Sequence, residues 1–167
     1  MEAALAKLSY RMRTENELRK ALEELEFDSG DIDSTIDELK ILGYIDDERY
    51  VREFYRSSRR KNWSKNRMIR ALADKGITAG RAKAVIDDFE ASDEFEDLGL
   101  TSDERSQALE LGRNMLEKQI MSGKPCDDKF FGRVGRRLMT LGYDSGCCYY
   151  VIRKLKDMGH THVQEEE

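Results

Sequence analysis

The chain is poor in residues that break helices and in residues that cross-link chains. It has one Pro, three Cys and two His in 167 residues. With so little Pro and so much Glu, Lys, Arg, Leu and Ala, nearly the whole chain is free to be helical. Cys126, Cys147 and Cys148 are odd in number and show no repeated CxxC spacing, which argues against a disulfide framework and a closed zinc site. The only histidines, His160 and His162, lie near the C-terminal end, so a Ser–His or Cys–His catalytic arrangement has nothing to build on. A terminal His-x-His pair reads as solvated rather than as a metal site. No apolar run reaches the ~18 residues of a membrane helix. The opening segment MEAALAKLSYRMR lacks the apolar core of an export signal. No Gly-rich strand–loop–helix cradle for nucleotide phosphates is visible. The expectation is a soluble, cytoplasmic chain that is not an enzyme and uses no cofactor, metal or membrane.

Charge is abundant and strongly segregated. The 29 basic and 34 acidic residues leave a net −5. Residues 1–48 hold six basic and 14 acidic residues (net −8), residues 49–83 hold 12 and two (net +10), residues 84–110 one and ten (net −9), and residues 111–167 ten and eight (net +2). A polyanion feels the field within about one Debye length (~8–10 Å), so the block at +10 can attract nucleic acid although the whole chain is acidic. The alternative for this block is a solvated helical surface.

An apolar pattern is written three times. With Phe27, Ile77 and Tyr143 in register, Leu18, Met68 and Val134 lie nine residues earlier, and Leu22, Leu72 and Leu138 five earlier. Ile32, Ala82 and Cys148 follow five later, Ile36, Ile86 and Ile152 nine later, and Leu39, Phe89 and Leu155 twelve later. These offsets describe one face of a helix, a break, and one face of a second helix. A further helix precedes each pair, over 2–12, 47–61 and 103–121. Asp28, Thr78 and Asp144 are placed to cap the last helix of each copy, Thr14 and Ser64 the middle helices, and Asp46 the helix beginning near Asp47. Gly43, Gly76, Gly142 and Gly159 fall where helices should end. The fold expected is all-α: three tandem three-helix repeats forming an elongated, curved array held by nearest-neighbour contacts. The repeats span 1–45, 46–91 and 103–159. An acidic linker, 92–102, separates the second from the third, and 160–167 form a disordered tail.

The second repeat carries the chemistry of interest. On helix 47–61, Tyr50, Val51, Phe54, Tyr55 and Ser58 form the buried stripe. Arg52, Arg56, Arg59 and Arg60 lie mostly off it, either solvated or forming a ridge for phosphate or carboxylate. Lys61, Lys65, Arg67 and Arg70 follow around a helix N-terminus, where cations oppose the helix dipole unless something supplies negative charge. Trp63 either covers the gap between helices or anchors a partner. Cys147 and Cys148 fall at or beside core positions and read as small buried residues. The acidic block 84–110 is a solvated linker or a segment that folds back on the basic unit. The pair 65–75 and 78–90 could act as a helix-turn-helix in a stand-alone DNA-binding module, although Asp87, Asp88 and Glu90 on its second helix suit a DNA groove poorly.

The stretch Gly43-Tyr-Ile-Asp-Asp-Glu-Arg-Tyr-Val-Arg-Glu-Phe-Tyr-Arg-Ser-Ser-Arg59, followed by Met68-Ile-Arg-Ala-Leu-Ala-Asp-Lys-Gly-Ile77, resembles the RecX family of regulatory proteins. Glu17-Leu-Arg-Lys-Ala-Leu22 and Arg136-Arg-Leu-Met-Thr-Leu-Gly-Tyr143 look like the family's flanking repeats. The resemblance covers roughly residues 5–156. It implies tandem three-helix repeats, and the chain is expected to be a monomer. It also implies binding to RecA recombinase on its DNA filament, single- or double-stranded and without sequence preference, and modulation, usually inhibition, of recombinase activity in DNA repair, homologous recombination and the SOS response. Residues 91–104 are longer and more acidic than the family pattern.

Overall fold

A computed structural model describes the backbone of residues 1–164 and the side chains through Met158. Among the described residues all regular structure is helical. The helices are α1 (Glu2–Tyr10), α2 (Glu15–Glu23), α3 (Ser29–Ile41), α4 (Asp47–Arg60), α5 (Lys65–Ala73), α6 (Ala79–Glu90), α7 (Asp93–Glu96), α8 (Glu104–Met121), α9 (Asp128–Thr140) and α10 (Ser145–Gln164). The chain parts into two compact units, Met1–Ser57 with Met68–Asp97, and Ser58–Arg67 with Leu98–Glu167.

The capping chemistry is as the residues dictate. Thr14 accepts from the Glu17 N–H while the Glu17 carboxylate accepts from the Thr14 N–H, a complete capping box. Asp46 caps α4 through the Arg49 N–H at 2.9 Å, and Ser64 caps α5 through the Arg67 N–H at 3.2 Å. Asp28, Thr78 and Asp144 cap α3, α6 and α10. The register positions are the cores. In the first unit Leu18, Leu22, Ile32, Ile36 and Leu39 join Ala4 and Ile45, and Met68, Leu72, Ile77, Ala82, Ile86 and Phe89 are buried too. In the second unit Val134, Leu138, Tyr143, Cys148 and Leu155 are buried, with Ile152 packed against them. Phe27 is the exception, at 47% exposure.

Three expectations need correction. Residues 92–102 are more than a linker: Ser92 opens the one-turn α7, whose Phe95 is 4% exposed and lies edge-on to Phe89 at 5.7 Å. One aromatic residue in an acidic stretch is enough to tie it to the core, because its burial outweighs the solvation of its neighbours. Gly159 does not end a helix, and the tail expected from residue 160 continues α10 to Gln164. Residues 165–167 lie outside the described residues.

Gly76 and Gly142 do more than end helices. Both have positive φ, +87° and +93°. A Cβ on Gly76 would overlap Asn16 of α2, and one on Gly142 would stand 2.6 Å from both Ser64 Oγ and Arg67 Cβ of α5. Polar contacts fix each approach: the Thr14 hydroxyl donates to the Lys75 carbonyl at 2.6 Å, and the Ser64 N–H donates to the Leu141 carbonyl at 2.9 Å. The turn after the middle helix of a copy is therefore seated on the capped N-terminus of the preceding middle helix, once in each unit.

Glu17 adds an ionic knot at the first of these seats, paired with Arg11 at 3.1 Å and Lys75 at 2.9 Å. Burial opposes its charge, but the hydrogen bonds from Arg11, Lys75 and the Thr14 N–H together outweigh burial and hold the carboxyl at about 2, against 4.5 when free. A lowered folded pKa stabilises fully above the unfolded value and is lost as pH falls. Glu17→Gln should therefore cost about 1–2 kcal/mol at pH 7, discounted for partial exposure, with the difference from the parent vanishing between pH 4.5 and 2. Urea unfolding across that range checks it.

Candidate functional site

The basic segment 49–83 is carried by α4, α5, the turn joining them, and α6. In the first unit, Tyr50, Val51 and Tyr55 are buried on the core side of α4 as their spacing requires. Arg52 on α4 and Arg70 on α5 are exposed, with no ion pair among the described residues. Arg56 is internal: its guanidinium pairs with Glu53 and Glu94 and lies 4.9 Å above the Phe89 ring. The acidic α7 thus folds onto one arginine of the expected ridge.

In the second unit, Arg59 is 4% exposed. It donates to the Gln107 side chain on α8 and to the Thr101 carbonyl. Arg59 lies one turn beyond Tyr55 on α4, so it points to the core side and serves as a buried strut rather than a surface ligand. Arg60 and Lys61, the next two residues, are exposed. Trp63 is half-buried against the core of the α8–α10 unit. Arg67 stacks at 4.0 Å on its ring, and Lys61 stands 5.8 Å from it. Arg67 also donates to the Thr140 carbonyl. Trp63 therefore covers an internal gap and at the same time holds two cations near the surface. The Lys65 N–H, at the start of α5, donates to Glu104 at 2.6 Å. The negative charge that the cation-laden α5 N-terminus requires is supplied within the chain.

By sequence, Arg52, Arg56, Arg59, Arg60, Lys61, Lys65, Arg67 and Arg70 form one set. The structure sorts them: Arg52, Arg60, Lys61 and Arg70 are exposed, Arg56 and Arg59 are held internally, and Lys65 and Arg67 are half-buried. Glu94, Gln107 and Glu104 give no local sign of being partners, because each lies 35 or more residues away in sequence from the cation or helix end it meets. No group of three or more metal-ligating side chains occurs among the described residues. Cys147 and Cys148 are buried, and burial, with smaller effects from Cys148 and Asp144, pushes the Cys147 thiol up to about 11, which keeps it protonated. The side chains of His160 and His162 lie outside the described residues.

A chain of short helical triplets with a cationic segment has the architecture of a helical-repeat protein. A family model described as "RecX, first three-helix domain" matches residues 1–39. "Regulatory protein RecX" of Clostridium perfringens is 28% identical over 153 residues, covering 92% of this chain and 66% of the relative. The protein of the same name from Corynebacterium efficiens is 26% identical over 155 residues, covering 92% and 70%. This chain therefore spans about two-thirds of the length of these curated relatives. The crystal structure of RecX from Lactobacillus salivarius superposes with a TM-score of 0.68 over 93% of each chain; at 20% identity this likeness shows the fold alone. Over most of its length the chain is similar to RecX regulatory proteins. No helix among the described residues is long and apolar enough to cross a membrane.

Proposed function

We propose that this protein binds RecA recombinase assembled on DNA and inhibits its activity in recombination and repair, as a cytoplasmic monomer built of three repeats, 1–45, 46–91 and 103–159. The observation that carries the reading is the set of exposed cations left in a +10 segment after internal pairing: Arg60 and Lys61 beside Trp63 in the second unit, and Arg52 and Arg70 in the first. Exposed guanidinium and ammonium groups outside the internal ion pairs are available to phosphates or acidic protein surface. The similarity to RecX regulatory proteins supports the filament as the partner. A regulator that binds one state of a filament better than another shifts its assembly, and one seated on it blocks access by duplex DNA.

The test is co-sedimentation with preformed recombinase filaments at two salt concentrations, with DNA-only and recombinase-only controls. Arg60→Gln with Lys61→Gln should weaken filament binding and reduce the slope of log affinity against log salt by about 2, one unit for each phosphate that is no longer neutralised. Inhibition of strand exchange should fall with it. If the double variant sediments and inhibits like the parent, these cations do not meet the filament. Tight, sequence-selective binding to duplex DNA alone would instead favour a stand-alone DNA-binding module, against which stand the exposed Asp87 and Asp88 of α6.

A further inference from the structure

Phe27 occupies a register position at which Ile77 is 2% and Tyr143 5% exposed, yet it is 47% exposed. The turns that carry Ile77 and Tyr143 are seated on a preceding helix N-terminus, and the turn that carries Phe27 is not. Its neighbour makes the difference legible. The position that is Gly76 and Gly142 in the seated copies is Glu26 here, with the same positive φ of 59°. A Cβ at the two glycines would strike the element beneath. Glu26 carries a full side chain at that place, where the two seated turns carry none.

What lies beside Phe27 is a groove of about 290 Å³, floored by Leu22 and Ile32, with Ala3 of α1 on its wall. Asp31 and Glu38 of α3 line it; both are exposed and neither has an ion pair among the described residues. They stand seven residues apart, two turns, or about 10.5 Å along the helix. The surrounding sequence is strongly acidic, at net −8 over residues 1–48. Apolar floor, half-exposed aromatic wall and unpaired carboxylates two turns apart together specify a complement: an apolar stripe flanked by cations at i and i+7.

We propose that this groove in the first unit docks a lysine- or arginine-rich amphipathic helix of a partner protein. The apolar face of that helix covers Phe27, and its cations meet Asp31 and Glu38. This is helix-in-groove recognition with the charge pattern inverted relative to the basic segment of the same chain. The proposal is independent of the DNA-filament reading, since it uses none of the cations of residues 49–83.

The probe is a labelled amphipathic lysine–leucine peptide, followed by fluorescence anisotropy with the full chain. A glutamate–leucine peptide of the same pattern is the control. Asp31→Asn with Glu38→Gln, and separately Phe27→Ala, should each weaken binding of the cationic peptide about tenfold, the scale of a central contact at an interface. Asp87→Asn with Asp88→Asn, which removes exposed acids elsewhere in the unit, should leave it unchanged. Phe27 is half-exposed and absent from the buried core, so its truncation leaves a folded chain, verified by circular dichroism. Equal binding to all variants would mean unspecific charge attraction and overturns the proposal. So does concentration-dependent self-association in sedimentation that Phe27→Ala abolishes, because the groove would then belong to a second copy.

Discussion

Gly142→Ala should destabilise the second unit by about 2–4 kcal/mol, and Gly76→Ala the first by a similar amount. Two costs combine at each site. The backbone has positive φ, which an L side chain adopts at a cost of roughly 1–2 kcal/mol. The new methyl also overlaps Ser64 Oγ and Arg67 Cβ in one case and Asn16 in the other. Overpacking of this kind adds about 1–3 kcal/mol, because the seat is tied by a hydrogen bond that resists retreat. The Ser64 N–H to Leu141 carbonyl bond would lengthen, as would the Thr14 hydroxyl to Lys75 carbonyl bond. Glu26→Ala is the control that incurs neither cost, since a side chain already stands there. It has the same φ sign with nothing docked on it, so its stability should change by under about 0.5 kcal/mol. Urea unfolding of the three variants decides. A Gly142→Ala protein as stable as Glu26→Ala would show that the seat gives way and does not hold the second unit together.

Arg59→Glu should be the most damaging charge change on α4, at about 3–5 kcal/mol, while Arg60→Glu one residue later stays within about 0.5 kcal/mol. Arg59 is 4% exposed and donates to two acceptors, the Gln107 side-chain oxygen and the Thr101 carbonyl. A carboxylate there would be a buried charge set against the Thr101 carbonyl, with the guanidinium donors gone. Arg59→Met, which keeps the volume and leaves two acceptors unpaired, should cost less, about 1–3 kcal/mol. Thermal unfolding and circular dichroism distinguish the three. The consequence for function is practical. Loss of filament inhibition in an Arg59 variant would report on folding, so the DNA-facing role must be tested at Arg60 and Lys61, whose removal leaves the core untouched.

Arg56 is likewise answered inside the first unit, by Glu94 across it and by Phe95, which anchors α7 beside Phe89. The acidic stretch that a linear reading treats as solvated linker is part of that answer. Local penalties visible in sequence, such as cations at the α5 N-terminus, therefore need not point outward: Glu104 resolves that one.

The sequence alone was enough for everything that depends on short range. Helix period, N-caps at Thr14, Asp28, Asp46, Ser64, Thr78 and Asp144, and the buried register positions all follow from residues within a dozen or so of one another, because a helix and its cap are local objects. Only the tertiary structure decided which cations remain exposed. Arg59 and Arg60 are adjacent and chemically identical, but a rotation of about 100° per residue points one at Gln107 and the other at water. It also decided that Phe27, indistinguishable by register from Ile77 and Tyr143, is left uncovered. Whether a side chain is buried depends on what another part of the chain, tens of residues away, brings against it, and no local pattern encodes that partner.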